Sequence, residues 1–593
     1  MNAAVADPIT TEVIRNFVIS CAEDMNAALW RSAFSAIIYE GRDSAVALLD
    51  EKGNMLGQST GVPLFVGAID ACVKLVLDRY GEDIAPGDIF ILNDSYLQGT
   101  HLHDITAVGP LFHRGELAGF GAARAHWQDI GAIDPGSTMG STSIFHEGLR
   151  LGPTRIVQRF KPIPEWYDLL VRNTRLKTMT LGDLNAQIGA IRTGEKRLGR
   201  LLERVGLDVY RAACANIFEQ AGLLDRQAIA GLKDGVYRRE GFLDDDGVSD
   251  EQVKIALELT IDGERMIIDL EGSSGPVTGS INCGAVQTMS LLRLAYKTMI
   301  NPDRAITGGS FSTMEVRIPE ECVFNAKEPA ACEWYFTGLG LLGDLMISCL
   351  GEAMPERATA AHYGDSMVAA FFNMNKKDES WISVEATAGG WGGTVGADGE
   401  SALINLVNGG FRNLPAEVYE TKFPVRVEEF SLRPDSGGAG RWRGGCGVVR
   451  AYLLLDDCYG ALWFDRSKTP AWGLAGGGDG LGPQNDIVLP DGCVEHPLKM
   501  RAKPFKKGTR IVTRTGGGGG YGNPFARPAS EVLEDVRCGL VSREKARELY
   551  GVCIDAEMKV VQAKGDGGAL AKDRSNEVRG DRFDGATPQV GRE

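Results

Sequence analysis

Three glycine clusters constrain this chain more than any other feature: RPDSGGAGRWRGGCGVVR (433–450), WGLAGGGDGLGPQ (472–484) and RTGGGGGYGNP (514–524). Glycine brings no side chain to a core and loses the most entropy in a helix, so these stretches read as loops and tight turns that divide short strands. The chain has 76 glycines in 593 residues, well above an average share of about 7%. From about residue 420 onward the pattern is therefore strand and glycine loop in alternation, ending in one helix at SREKARELYG (542–551).

Upstream the periodicity is different. Apolar residues recur at helical spacing from Pro8 through PITTEVIRNFVISCAEDMNAALWRSAFSAIIYEGRD (8–43). A strand, a turn at Lys52-Gly53 and a second strand follow, then a helix closed by Gly81 and a strand, APGDIFILND (85–94). LFHRGELAGFGAARAH (111–126) reads as a hairpin turning at Arg114-Gly115. Residues 164–234 are helix-rich, and VKIALELTIDGERMIIDLEG (253–272) reads as a hairpin turning at Asp262-Gly263. The expected fold is α+β and multi-domain, with mixed and antiparallel sheets, a helix-rich segment and a glycine-rich, β-dominated C-terminal part. Its divisions are an N-terminal α+β metal-binding region (1–163), the helix-rich segment (164–234), a central α+β domain (235–419), a glycine-rich β domain (420–556) and a mobile tail (557–593).

Charge and composition remove several classes of function. A formal charge of −16 lacks the basic footprint of a nucleic-acid binder and disfavours an anionic membrane surface. The most apolar segment, FTGLGLLGDLMISCLGEAM (336–354), is interrupted by Asp344 and Glu352 and is too short between them for a span. The start carries acid where a secretory signal needs base, so the expected location is the cytoplasm. Twelve scattered cysteines without a CxxC pair read as buried free thiols.

Two short patterns read as turns rather than sites. Gly338-Leu-Gly340-Leu-Leu-Gly343 fits GxGxxG without a βαβ unit around it, and Gly57-Gln-Ser59-Thr-Gly61 fits a nucleophile elbow whose following helix would meet Pro63 at once. No Gly-Lys dipeptide occurs, so a P-loop is excluded.

GTHLHDIT (99–106) and RAHWQDIG (124–131) are another matter. Five of seven histidines fall in the window 101–146, and His101-x-x-Asp104-Ile is echoed by His126-x-x-Asp129-Ile. Two such units can supply converging imidazole and carboxylate donors for a divalent metal. A turning chain after Asn93-Asp94 pairs His101 with Asp104 and points His103 away. Spacing alone is equally compatible with hydrogen-bonded histidines at strand ends.

These residues resemble the hydantoinase B / 5-oxoprolinase family, which includes components of acetone and acetophenone carboxylases and ATP-dependent lactamases. The resemblance rests on EGRDSAVALLDEKGNMLGQ, APGDIFILNDSYLQGTHLHDIT, ARAHWQDIGAIDPGS, FHEGLRLGP, GPVTGSINCG and the glycine-rich C-terminal stretches, and spans nearly the whole chain. It implies a metal, zinc or manganese, on His101, Asp104 and His126, with Asp129 as general base. Within the matched stretches, Asp43, Asp94, Arg124 and Glu147 are the candidate substrate-binding residues. It also implies a hydantoinase A-type partner that uses ATP, a heterotetramer or larger, and hydrolysis of a cyclic amide, with a bicarbonate-dependent ketone carboxylase or a scaffold subunit with a structural metal as alternatives. The sequence departs from the family at His103, where proline is usual, and at Gly41 of EGRD, where arginine is common.

Overall fold

The computed structural model describes residues 6–374, 380–564 and 570–571. Asp7 caps the first helix, α1 (Pro8–Ser32), accepting the amides of Ile9 and Thr10. The helix stops earlier than its periodicity predicts. Asp183, from the helix Lys177–Val205, accepts the amides of Phe34 and Ser35 at 2.7 and 3.1 Å, and a short helix, Ala36–Tyr39, follows.

The N-terminal part is built on a seven-stranded antiparallel sheet. Its strands are β1 (Ser44–Leu49), β2 (Met55–Gln58), β3 (Ile89–Leu92), β4 (Asp104–His113), β5 (Glu116–His126), β6 (Thr154–Gln158) and β7 (Lys161–Pro162), in the order β2-β1-β5-β4-β3-β6-β7. The β4–β5 hairpin turns at Arg114-Gly115, as the sequence predicts. Both residues have positive φ (51° and 87°), the geometry that lets a two-residue loop follow the twist of its strands.

The helix-rich segment is not separate from this core. Gln187, on Lys177–Val205, is fully buried and reaches into the sheet. Its amide nitrogen donates to the carbonyls of Ile105 and Ala123 (2.9 Å each), and its oxygen accepts the Trp127 indole N–H (3.0 Å). Such a side chain is fully satisfied only with the helix docked on β4 and β5.

A second sheet, of Gly235–Leu243, Val253–Asp262, Arg265–Asp269 and Met314–Arg317, is mixed, its last pair being parallel. The helix Tyr335–Ala353 is long and apolar enough by composition to cross a membrane, contrary to the reading of its acids as interruptions; it is almost wholly buried inside the protein. Gly338, Gly340 and Gly343 lie within it, where a Cβ on Gly340 would stand 2.3 Å from the Gly364 carbonyl oxygen. GxGxxG is thus a packing face. Ser59 of the elbow-like motif is buried against the backbone of Val46, so it too is structural.

The C-terminal glycines correct the sequence reading most. They are chiefly places of backbone contact rather than turns. Extended segments around 390–393, 437–447, 473–480 and 516–520 lie against one another, with Gly518 donating to Gly445, Gly438 to Gly518, Gly393 to Gly519 and Gly520 to Gly478 at 2.8–3.0 Å. A Cβ on Gly518 would come within 2.0 Å of the Trp391 carbonyl oxygen, and one on Gly445 within 1.8 Å of that of Glu400. Antiparallel sheets of four and five strands flank this assembly. Of the expected tail, 557–564 includes the strand Val560–Lys564, paired with Val552–Ile554; the rest, apart from 570–571, lies outside the described residues. All twelve cysteines are free, and Cys493 and Cys538 are exposed.

Candidate metal centre

Strand register assembles the site. Ser44 pairs with Ala125 and Asp104 with His126, so the ends of β1, β5 and β4 lie side by side, away from the hairpin turn. Asp43 stands just before β1, and its carbonyl accepts the His126 amide at 3.1 Å. His101 enters from a turn. Gly99, at φ 92°, ends the short helix Ser95–Gln98, and the Asp104 amide then bonds the His101 carbonyl at 3.2 Å, closing the chain over four residues.

Three donor atoms meet there. His101 Nε2 lies 3.1 Å from Asp104 Oδ1 and 3.1 Å from His126 Nδ1, and Asp104 Oδ1 lies 3.2 Å from His126 Nδ1. Atoms bound at about 2.0–2.2 Å to a common ion stand roughly 3–3.5 Å apart, so this near-equilateral triangle has the size of one face of a coordination shell. All three residues are buried.

The second ring nitrogen of His101 fixes the first. Nδ1 sits 3.1 Å from the backbone carbonyl of Glu333, an acceptor only, so Nδ1 carries a proton and Nε2 is the nitrogen turned to the triangle. Burial alone would depress the His101 imidazolium, but the Asp104 carboxylate and bonds to Asp104 and Glu333 outweigh it and hold the group well above the ordinary histidine value. Burial likewise works to raise Asp104, and His101 and His126 overcome it, keeping the carboxyl well below the usual range. A proton held among these buried groups marks the place a cation would take.

Glu333 is a member of the site that spacing does not bring forward. It lies far down the chain, in CEWYFTGLGLL, and the one signal for it is an acid embedded in an apolar run at the start of a buried helix. Its carboxylate is fully buried, 3.3 Å from His103 Nδ1 and 3.6 Å from His101 Nδ1. His103 therefore does not point away from the site. It is fully buried with its ring stacked on His126, centroids 5.2 Å apart, and His101, His103 and Glu333 form a second group that could hold a metal ion. The turn at 101–104 is tight enough to leave both histidines on the same side of the fold.

His101 and His126 of the triangle open on a cavity of about 50 Å³, whose wall also includes Asp43, Phe65, Tyr335 and Phe411. Of the four residues expected to bind substrate, only Asp43 lines it. Close packing pushes its carboxyl up to about 6, against the pull of His126 and with Asp104 adding to the rise.

The others are engaged elsewhere. Asp94 caps Ser95–Gln98 and faces Arg150. Arg124 is buried on Thr106, Cys72 and Gln98. Glu147 accepts the Ser141 hydroxyl and the amides of Cys332 and Glu333, so it positions the segment that carries Glu333. Burial, with Glu333 beside it, pushes its carboxyl up to about 8.

Asp129 is also placed differently from the sequence expectation. Both its oxygens are taken, by the guanidinium of Arg175 at 2.7 Å, the Arg175 amide, the Thr174 hydroxyl and the Gly131 amide, and it lines a different, smaller cavity. The echo of His-x-x-Asp does not carry over into the site because Trp127 is anchored on Gln187 and the chain leaves β5 toward the helix layer.

The Hydantoinase B/oxoprolinase family profile matches residues 7–524. The chain belongs to that family. This Hydantoinase B/oxoprolinase chain is 31% identical to the beta chain of the caprolactamase of Pseudomonas jessenii, over 94% of its own length and 98% of that protein. It is 30% identical to the B component of a putative D-/L-hydantoinase of a Pseudomonas species, over 92% and 95% of the two chains. The crystal structure of the ATP-dependent caprolactamase from Pseudomonas jessenii superposes with a TM-score of 0.88 at 28% identity, covering 93% of this chain and 98% of that one. Nucleotide-free acetone carboxylase shares the fold, with a TM-score of 0.85 at 22% identity over 96% of this chain and 82% of that one.

Proposed function

We propose that this chain is the hydantoinase B-type component of an ATP-dependent cyclic-amide hydrolase, located in the cytoplasm, acting on a hydantoin, oxoproline or lactam together with a hydantoinase A-type partner in a heterotetramer or larger complex. The relatives named as components of a hydantoinase and of a caprolactamase support the reaction class and the need for a partner. The observation that carries the reading is the buried triangle of His101 Nε2, Asp104 Oδ1 and His126 Nδ1 opening on a cavity.

The residues fit a divalent ion on chemical grounds. Two imidazoles and a carboxylate face one point, and among the described residues Asp104 Oδ2 and His126 Nε2 have no hydrogen-bond partner. Zinc or manganese, held by His101, Asp104 and His126, would supply Lewis acidity and lower the pKa of water.

An unstrained cyclic amide resists attack because its resonance must be broken, and phosphorylation of its carbonyl oxygen in the partner removes that protection. The work left to this chain is to hold water beside the activated carbon and accept its proton. Asp43 suits the second task better than Asp129: its carboxyl lines the cavity with both histidines, whereas Asp129 is saturated by Arg175, Thr174 and Gly131. Trp334, Tyr335 and Phe336 enclose the reacting space and limit bulk water.

The test is elemental analysis of the purified complex of both components, then ADP release across a panel of lactams, hydantoins and ketones with and without bicarbonate. Release driven by a lactam or hydantoin without bicarbonate is expected. Strict dependence on a ketone and bicarbonate would replace the hydrolase with a carboxylase, and full turnover by a metal-free His126→Ala complex would reduce the centre to a structural one.

A further inference from the structure

Beside this cavity, sharing Phe411 as a wall, lies a cleft of about 640 Å³. The inner cavity, about 50 Å³, is a third of the roughly 150 Å³ of a protein cavity that takes up benzene. It has room for a reacting carbon and water, not for a whole cyclic amide, so the rest of a substrate lies on the outer side of Phe411.

The partition between the chambers is two short segments tied together by the Arg412 amide, which donates to the Gly41 carbonyl at 2.8 Å. Each segment serves both sides. Asp43 lines the inner cavity while Arg42 lines the cleft, and Phe411 borders both while Arg412 lines the cleft.

The cleft is cationic in a chain of net charge −16: among the described residues Arg42 and Arg412 stand in its wall and no aspartate or glutamate does. Among the described residues neither guanidinium is ion-paired. Arg42 is also prepared for a ligand. Its backbone is held at φ 58°, and its guanidinium lies 4.2 Å over the centre of the Trp30 ring, which is fixed by an indole N–H bond to Ser44 Oγ at 3.0 Å. Stacking occupies one face of the guanidinium and leaves its in-plane N–H groups free for an oxyanion.

We propose that this cleft is an oxyanion-binding antechamber in which Arg42 and Arg412 hold the phosphoryl or carboxylate group of the substrate while its reacting carbon faces past Phe411 toward the histidine cluster. The proposal rests on the hydrolase reading above. A phosphorylated cyclic amide carries its charge next to the reacting carbon, and arginine side chains in a shared wall are the chemistry that recognises such a group.

Calorimetric titration of inorganic phosphate, and separately of acetate, into the full chain tests it. The comparison is between wild type, R42Q/R412Q, and H126A, which lacks the metal centre as a rival anion site. Saturable phosphate binding is expected in wild type and H126A, weakened about tenfold or more in R42Q/R412Q with metal content unchanged. Tighter phosphate than acetate assigns the cleft to a phosphorylated substrate; equal or tighter acetate assigns it to a substrate carboxylate. Equal phosphate affinity in R42Q/R412Q, or binding lost in H126A alone, overturns the proposal, as does absence of phosphate binding in wild type. R412Q alone, at an exposed position, replaces the double variant if that fails to fold. If the wild-type complex hydrolyses a lactam and R42Q/R412Q does so with unchanged KM, the antechamber falls and the hydrolase reading stands. Where phosphate binds the cleft but no cyclic amide drives ADP release, the reverse holds.

Discussion

The histidine cluster and the glycine assembly are opposite ways of building a precise structure. In the cluster, three side chains from two strand ends and a turn converge on one point, and the backbone behind them is ordinary antiparallel sheet. In the glycine assembly the backbones themselves converge, and what matters is the absence of side chains. One region should therefore tolerate loss of atoms while losing its chemistry, and the other should tolerate no added atom.

The largest effect is expected from adding a single methyl group. Gly518→Ala or Gly445→Ala places a Cβ within 2.0 or 1.8 Å of a carbonyl oxygen. Backbone cannot rotate away as a side chain can, so a loss of more than about 3 kcal/mol, or no soluble protein, is expected in chemical denaturation. A variant as stable as wild type would break the contrast.

His126→Ala should do the reverse. Metal affinity should fall by well over about 100-fold, the upper range for groups that only support a ligand, while the melting temperature of the metal-free protein stays near that of metal-free wild type. Chelation of wild type should mimic it. Glu333→Gln keeps the backbone carbonyl on His101 Nδ1 and removes the carboxylate, so a smaller loss of about 10- to 100-fold is expected.

Metal binding should also be linked to pH with a definite sign. His101 is held protonated above its ordinary range in the metal-free protein, and a cation must displace that proton from Nε2. Affinity should therefore rise with pH through and above neutrality, with about one proton released per ion at pH 7, read by calorimetry in buffers of different ionisation enthalpy. Absence of proton release would mean that Asp104 does not charge the ring.

The smallest effect sharpens the comparison from the other side. Gly189 and Gly199 lie inside the helix Lys177–Val205 with open space where a Cβ would be. Alanine there should stabilise the protein by about 0.5–1 kcal/mol in the same denaturation assay.

Local features are legible in the sequence where local physics sets them. The hairpin at Arg114-Gly115 follows from its turn residues, and the pairing of His101 with Asp104 from the tight turn after Gly99. The repeat that links His126 with Asp129 misleads, because identical spacing on a strand end and on the chain leaving it sends side chains into different layers. Glu333 is hidden for a different reason: 232 residues separate it from His101, and nothing local records that contact.

Composition, periodicity and spacing along the chain were enough for the α+β class and the residue types able to hold a cation, and the likeness of whole stretches to known relatives for the family. Only the tertiary structure decided that Asp43 and Glu333 join the histidines while Asp94, Arg124, Glu147 and Asp129 do not, and that glycine serves backbone contact more than turning. The physical reason is the same in each case. Which group meets which is fixed by strand register and by layers packing across hundreds of residues, and those distances are not written in the spacing of neighbours.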